Sequence, residues 1–333
     1  MPRAWQLYDL SGYSSLRLDD VVQNEPGEGE VRIRVQAFAL NWGDMDLMQG
    51  NYTFSFPKLP TCVGIEASGV IDAVGPGVTG HAVGDFVSTL PYFYYGRGAS
   101  TESLVIDARF AVKAPESLSA VEAASIWMQY LTAYYPIAEI TPMGNGNFAL
   151  VTAATSTAGA AMLEIGRTRG VTMIGTTRNP ESVEYLREMG ADHVIVTSRD
   201  DVAEELHRIT GGRGVDLVFD CVGGKLLTQY GSALARNARI FFYGLLEGVS
   251  PELPLFDMFA KNAVFHPYSV FNYVEDADFL ARGLAYVYAE IDAGRIRPRI
   301  DRVFGMEDYV RAWDYLSAPR HAHGKVVIET GLS

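Results

Sequence analysis

Cysteine is scarce in this chain of 333 residues, with Cys62 and Cys221 the two present. Two thiols cannot build a disulfide scaffold or a four-cysteine zinc lobe, and they fit a reducing compartment. Basic residues are also in deficit. Lys and Arg total 27 against 40 Asp and Glu, a net charge of −13. Such a chain repels nucleic acid and anionic lipid on average, so neither is expected as a partner. Long apolar runs are lacking too. Residues 140–163 carry no charge, but Pro142, Gly144, Asn145, Gly146 and Asn147 interrupt them, so no membrane-crossing helix is expected. Residues 1–20 hold Arg3, Asp9 and Arg17 with no apolar core, so no signal peptide is visible. A soluble, cytoplasmic protein is expected. What is present is ordinary globular material, 48% hydrophobic and 20% charged in 36.5 kDa. The length suggests two domains.

The first 120 residues read as β-rich. Glu30–Phe38 alternates Val31, Ile33, Val35 and Ala37 with charged or polar neighbours, the pattern of a half-buried strand. Glycines at 64, 69, 75, 77, 80 and 84 punctuate short apolar runs, Gly69–Val74 and Asp85–Thr89, which suggests a small barrel or sandwich. Ser119 and Glu122 form a capping box before a helix. From Asn147 onward strands and helices alternate. Strands are expected at Phe148–Ala153, Val171–Thr176, His193–Val196, Val215–Phe219 and Arg239–Tyr243. Helices are expected at Ala158–Thr168, Pro180–Met189, Val202–Ile209, Leu226–Leu234 and Asp278–Ala293. That alternation implies a parallel sheet covered on both faces, an α/β fold. The tail returns to strands, Arg299–Phe304 and Lys325–Ile328, around a helix at Met306–Leu316.

The turn after Phe148–Ala153 occupies the place of a dinucleotide-binding G-x-G-x-x-G. Here it reads Ala154, Thr155, Ser156, Thr157, Ala158, Gly159, so the last glycine alone is kept. Ala154 and Ser156 are small enough for backbone to approach a phosphate, and the hydroxyls add donors. A plain strand-turn-helix connection is the bland alternative. The second strand ends in Thr176, Thr177, Arg178, Asn179. An acid there would bind the ribose of NAD, whereas Arg178 suits the 2′-phosphate of NADP. In so acidic a chain, an arginine at that edge reads as a phosphate ligand rather than as a solvated surface group.

With these residues in view, the chain resembles the medium-chain dehydrogenase/reductase superfamily, and most its zinc-independent quinone oxidoreductase branch. The resemblance rests on Leu40-Asn41-Trp42-Gly43-Asp44, Gly64-Ile65-Glu66-Ala67-Ser68-Gly69-Val70, Val74-Gly75-Pro76-Gly77-Val78 and Val83-Gly84-Asp85-Phe86-Val87. Further on it rests on Tyr130-Leu131-Thr132-Ala133-Tyr134, Gly190-Ala191-Asp192, the stretch Gly211–Asp216 and Asp220-Cys221-Val222-Gly223-Gly224. It implies a GroES-like domain over 1–122, a Rossmann doubly wound NADP-binding domain over 123–265 and a return to the first domain over 266–333. It implies NADPH and a small planar substrate, a quinone or α,β-unsaturated carbonyl, with hydride transfer in a cleft between domains. A homodimer is implied too, with Arg239–Tyr243 offered as part of a paired sheet edge. The family's frequent pocket tyrosine, two residues after Asp44, is Asp46 here.

Zinc relatives of this fold carry Cys and His where this chain has Asn41 and Ile65, and neither replaces those ligands. His321 and His323 have no Cys or acid beside them, so no metal is expected. The resemblance places Thr132 near the nicotinamide and Ser156, Thr157 and Ala158 at the pyrophosphate. Thr177 and Arg178 fall at the ribose, and Cys221, Val222, Tyr243, Gly244 and Leu245 along the strand ends. For catalysis the candidates are Asn41, Asp44, Tyr52 and Tyr130. Asn41 is either a donor to a substrate oxygen or a turn residue. Asp44 either caps the following helix or orients a water or the cofactor. Tyr52 and Tyr130 are either pocket residues or core packing, as are Tyr92-Phe93-Tyr94-Tyr95, Tyr268 and Phe271. Competing readings are a zinc-free ketone or aldehyde reductase and a cofactor-binding protein without catalysis.

Overall fold

The computed structural model describes residues 1–92, 97–248, 250–318 and 323–332. The chain divides into two units, Met1–Met128 with Arg297–Ser333, and Gln129–Ile296. The first opens with β1 (Arg3–Leu7), β2 (Leu16–Asp20) and β3 (Glu30–Ala39). Val31, Ile33, Val35 and Ala37 of β3 are buried and the residues between them half-buried, the expected period of two. After β3 come α1 (Trp42–Met48), β4 (Thr61–Cys62), β5 (Ala67–Val74), β6 (Phe86–Thr89), β7 (Ser103–Asp107), β8 (Ala111–Lys113) and α2 (Ala120–Ala123). Ser119 caps α2 as expected, with the Glu122 N–H donating to its Oγ and its own N–H donating to the Glu122 carboxylate.

The second unit begins within α3 (Trp127–Tyr134). It continues through β9 (Phe148–Val151), α4 (Thr157–Thr168), β10 (Thr172–Thr177), α5 (Val183–Glu188), β11 (His193–Val196), α6 (Val202–Thr210) and β12 (Val215–Asp220). Then follow α7 (Gly224–Gln229), β13 (Leu234–Phe242), α8 (Leu255–Lys261), β14 (Val264–Pro267), α9 (Phe271–Val274) and α10 (Ala277–Asp292). The strands form one parallel sheet in the order β11-β10-β9-β12-β13-β14. β9 therefore sits at the point where strand order reverses, and a doubly wound fold binds ligands outside the strand ends there. Leu150, Ile174, Ile195, Val218 and Ile240 fill one core of this unit with Leu206, Leu227 and Tyr230.

The chain returns to the first unit with β15 (Ile300–Gly305), α11 (Tyr309–Ser317) and β16 (Lys325–Glu329). Among the described residues this unit holds a sheet ordered β15-β16-β3-β5-β6-β8, with β7 also on β3, and a smaller one ordered β2-β1-β4.

Four expectations change, the first being the boundary between the units, which falls after Met128 rather than after 122. The return comes at Arg297 rather than 266, because β14 extends the parallel sheet and α10 ties to its own unit. Thr168 and Tyr286 share a 2.7 Å hydrogen bond, and Arg282 pairs with Glu139 at 2.9 Å. The helix expected over Leu226–Leu234 ends at Gln229, and Leu234 already pairs with Val215 as the start of β13. A bulge between Leu234 and Arg239, with Asn237 at φ 63°, hides that start from the sequence pattern. Arg239–Tyr243 is not a sheet edge, since β13 lies between β12 and β14.

Candidate functional site

In the second unit, four loops leave adjacent strands at their carboxyl ends. After β9 the chain turns through Ala153, at φ 41°, to Ser156, whose Oγ accepts the Gly159 N–H at 3.1 Å and so caps α4. The first-turn N–H groups of Thr157 and Ala158 remain at the half-buried start of this 12-residue helix. Gly159 is required by packing. A Cβ there would lie 2.9 Å from the Ala154 Cα and 3.0 Å from the Ala153 carbonyl oxygen. Thr177 is buried at the end of β10, and Arg178 beyond it is exposed. The Arg178 carbonyl accepts from Ser198 Oγ at 2.8 Å, which fixes the backbone and leaves the guanidinium outward.

After β12, the buried Asp220 carboxylate organises the turn. Oδ1 accepts from Thr152 Oγ1 at 2.6 Å, the Val222 N–H at 2.8 Å and the Gly223 N–H at 3.1 Å. Oδ2 accepts from the Tyr230 hydroxyl at 2.7 Å. The loop after β13 lies alongside, with the Leu246 and Glu247 N–H groups donating to the carbonyls of Cys221 and Val222. A Cβ on Gly244 would come within 2.7 Å of the Cys221 Cβ. Cys221 is buried, and burial pushes its thiol up to about 12, so its side chain packs against the loop as a neutral thiol. The Tyr243 ring stacks on Phe219 at 3.9 Å. Its hydroxyl is buried beside Cys221 and Ser156 without a well-formed hydrogen bond. Ser156, Thr157, Ala158, Thr177, Arg178, Cys221, Val222, Tyr243, Gly244 and Leu245 thus all belong to one edge of one sheet. Thr132 is buried on α3, a different element of the same unit.

In the first unit, four polar side chains meet below the surface. Lys325, the first residue of β16, is 1% exposed, as is Glu66, and their charges lie 2.9 Å apart. The Lys325 ammonium also donates to Asn41 Oδ1 at 2.6 Å, and Asn41 Nδ2 donates to Glu66 Oε2 at 3.3 Å. Glu66 Oε1 accepts the Met128 N–H at 3.1 Å. Asn41, not Asp44, is the N-cap of α1. Asp44 stands three positions inside the helix, and its Oδ2 accepts the Asn41 N–H at 3.1 Å. That corrects the capping role expected of Asp44. Its other oxygen is buried with no hydrogen-bond partner. Burial is the main cause that pushes its carboxyl up to about 7, with Glu66 adding to it and Lys325 opposing.

The two candidate tyrosines part company. Tyr52 packs edge-on against Phe54 and next to Gly43 of α1, and burial, then Asp44 and Asp46, raise its phenol above the usual value. Tyr130 is fully buried and donates to Glu164 Oε2 of α4 at 2.9 Å. Its hydroxyl therefore joins α3 to α4, which favours core packing over the pocket role for this residue. Tyr92 is likewise structural, donating to the Arg97 carbonyl, while Phe93, Tyr94 and Tyr95 lie outside the described residues, as does His321. Tyr268 and Phe271 are buried, with the Tyr268 hydroxyl on the Leu131 carbonyl. Sequence reasoning missed Lys325 as a polar-site residue, because a lysine opening an apolar strand gives no sign of where its ammonium goes.

Comparison with known proteins follows the same division. An alcohol dehydrogenase GroES-like domain family matches residues 27–116, and a zinc-binding dehydrogenase family matches residues 158–281. A 2-haloacrylate reductase from Burkholderia is 28% identical over 98% of this chain and 99% of its own. A quinone oxidoreductase structure from Pseudomonas syringae superposes with a TM-score of 0.90 at 26% identity, covering 99% of this chain and all of that one. The chain belongs to the medium-chain dehydrogenase/reductase superfamily, in its quinone oxidoreductase branch. It is an oxidoreductase of that branch, and its cofactor is of the nicotinamide kind. A mycobacterial structure, Rv1454c complexed with NADPH, superposes with a TM-score of 0.89 at 27% identity over 98% of this chain and 99% of that one.

The edge built by β9, β10, β12 and β13 fits a dinucleotide. It offers a free helix start, glycine-lined approaches and an orphaned tyrosine hydroxyl beside the capping serine. The first unit does not fit zinc. An amide, an isoleucine and a lysine ammonium replace thiolate and imidazole, and a cation is already in place there. Among the described residues, no group of three or more His, Cys, Asp or Glu is placed to hold a metal ion.

Proposed function

We propose that this protein is an NADPH-dependent, zinc-independent reductase of quinones or α,β-unsaturated carbonyls. The observation that carries the reading is the polar cluster of the first unit, Asn41, Glu66 and Lys325, which supplies hydrogen bonds and charge in place of a metal ligand set. Bound NADPH would supply the hydride. The protein's part is to hold it and to stabilise charge on the acceptor. Thr157 and Ala158 would face the pyrophosphate with their N–H groups, and Arg178 the 2′-phosphate. When hydride adds to the β-carbon of an enone, a C–H bond forms there and the π electrons move to the oxygen. Asn41 Nδ2–H would stabilise that oxygen, and water would then protonate the product. A Burkholderia 2-haloacrylate reductase and a P. syringae quinone oxidoreductase among the relatives support this class of acceptor.

One observation favours a second reading. Asp44 keeps its proton near neutrality and has a buried oxygen without a partner, so it could serve as the general acid for a ketone or aldehyde. NADPH oxidation measured over quinones, enones, enoyl thioesters and saturated ketones decides between them. Turnover of saturated ketones alone would reject the first reading. No turnover with any acceptor would leave a cofactor-binding protein.

A homodimer is proposed as well, through one of the two edges of the parallel sheet. Of the edge strands β11 and β14, β14 is favoured: Val264 on it is exposed, and Phe256 and Phe259 of the preceding α8 are 90% and 76% exposed. Both cysteines are unpaired, which supports a reducing compartment such as the cytoplasm. No described helix is long and apolar enough to cross a membrane.

A further inference from the structure

Lys325 is one of the largest fully buried side chains in the protein, and its charge needs a reason. A buried ion pair is seldom worth more to stability than an apolar pair of the same shape. Here the ammonium does something an apolar pair would not. It can only donate, so the group 2.6 Å away must be the Asn41 oxygen and not its nitrogen. Glu66, held by the same ammonium at 2.9 Å and by the Met128 N–H, can only accept where it meets Asn41 Nδ2 at 3.3 Å. The two charges therefore lock the amide from both ends. One Nδ2 hydrogen is used on Glu66, and among the described residues no second well-formed hydrogen bond leaves Nδ2, the Asp44 carboxyl being its other, weaker side-chain contact. Asn41 is also the member of the cluster that reaches the surface, at 9% exposure against 1% for Lys325, Glu66 and Asp44.

We propose that Lys325 is a positioning residue that holds the Asn41 amide as an obligate hydrogen-bond donor toward the carbonyl or quinone oxygen of the substrate. The proposal rests on the reductase reading above and adds a rule of selection to it. The site accepts a group with a free lone pair and rejects one that must donate. Without the ammonium the amide can turn over, present its own oxygen, and repel the charge that develops on the acceptor.

The test uses Lys325→Met with Glu66→Leu, which removes both charges together and avoids an unpaired buried carboxylate. Thermal melting and NADPH titration establish that the variant folds and binds cofactor. The expected result is a fall in kcat of about tenfold or more with menadione, with the KM for NADPH unchanged. Asn41→Ala should lose at least as much, and adding the charge removal to Asn41→Ala should cost nothing further. Additive losses, or a double variant within twofold of wild type, would overturn the proposal.

A second measurement judges it even if that variant does not fold or the wild type turns over nothing. In 15N-labelled protein, the Asn41 side-chain amide signals, assigned with Asn41→Ala, should shift on adding menadione. An unmoved amide overturns the proposal. Turnover of menadione with an unmoved amide would sink the role of Lys325 and leave the reductase reading standing. A moved amide without turnover of any acceptor would do the reverse.

Discussion

Thr152 Oγ1 donates a 2.6 Å hydrogen bond to Asp220 Oδ1, joining the carboxyl ends of β9 and β12 at the place where strand order reverses. The same carboxylate takes the N–H groups of Val222 and Gly223 and the Tyr230 hydroxyl, so it shapes the turn that borders the proposed cofactor site. Asp220→Asn keeps the shape and loses the charge that strengthens these bonds. It should cost roughly 1–3 kcal/mol of stability and weaken NADPH binding about tenfold, a 1.4 kcal/mol effect. Melting curves and a fluorescence titration measure the two separately. Lower stability with unchanged NADPH affinity would confine Asp220 to the fold.

Arg178 is exposed at the end of β10 with no acid in the ribose position. A bidentate phosphate contact is worth roughly 1.5–3 kcal/mol. Arg178→Ala should therefore raise the Kd for NADPH about tenfold to a hundredfold and leave that for NADH unchanged. Equal weakening of both cofactors, or none of either, would remove Arg178 from the phosphate site.

Much of this edge was legible because parallel strands are buried on both faces and read as apolar runs between helices. Val215–Phe219 and His193–Val196 needed little more than that, and Ser156 and Gly159 marked the helix that follows β9. The rest was hidden for definite physical reasons. Ala153 adopts φ 41° where a glycine would have signalled the turn, and the bulge around Asn237 broke the pattern of β13. Asn41 and Lys325 are separated by 284 positions, and only the antiparallel pairing of β16 with β3 brings them together. Tyr130 entered as a pocket candidate through the family resemblance, and its bond to Glu164 on another helix was hidden because no local spacing links the two.

Asp44 should leave a signature in the pH dependence of stability. Its carboxyl is raised to about 7, against about 4 in an unfolded chain. Between these values the folded protein holds a proton that the unfolded chain has released. Stability from this group is therefore full below about pH 4, falls as pH rises toward 7, and is level above that. Lys325, Glu66, Tyr52, Tyr92 and Tyr309 are the charged or titratable groups whose fields reach it. Asp44→Asn should remove this slope, so its melting temperature should gain on the wild type between pH 5 and 7. Parallel curves for the two proteins would show that Asp44 is ionised throughout.

Tyr130→Phe should leave catalysis alone. It removes one buried hydrogen bond to Glu164, which costs about 1–3 kcal/mol in a buried setting. The expected outcome is a lower melting temperature with kcat/KM for enones within twofold of wild type. A tenfold fall in kcat at unchanged KM for NADPH would restore Tyr130 to the catalytic group.

The β14 edge of the parallel sheet gives the last prediction. β14 pairs with β13 on one side only, and an unpaired strand offers a row of backbone donors and acceptors to another chain. Phe256 and Phe259, three positions apart on the helix that leads into it, are both largely exposed. A two-fold axis at this edge would pair β14 with its own copy and cover both rings. Phe256→Glu with Phe259→Glu places four like charges in such an interface and disturbs little in an isolated unit, since neither ring is in the core. Light scattering should show a dimer for the wild type and a monomer for the variant, with the variant's melting temperature now independent of concentration. A monomeric wild type, or a dimer that survives both glutamates, would move the contact to another face.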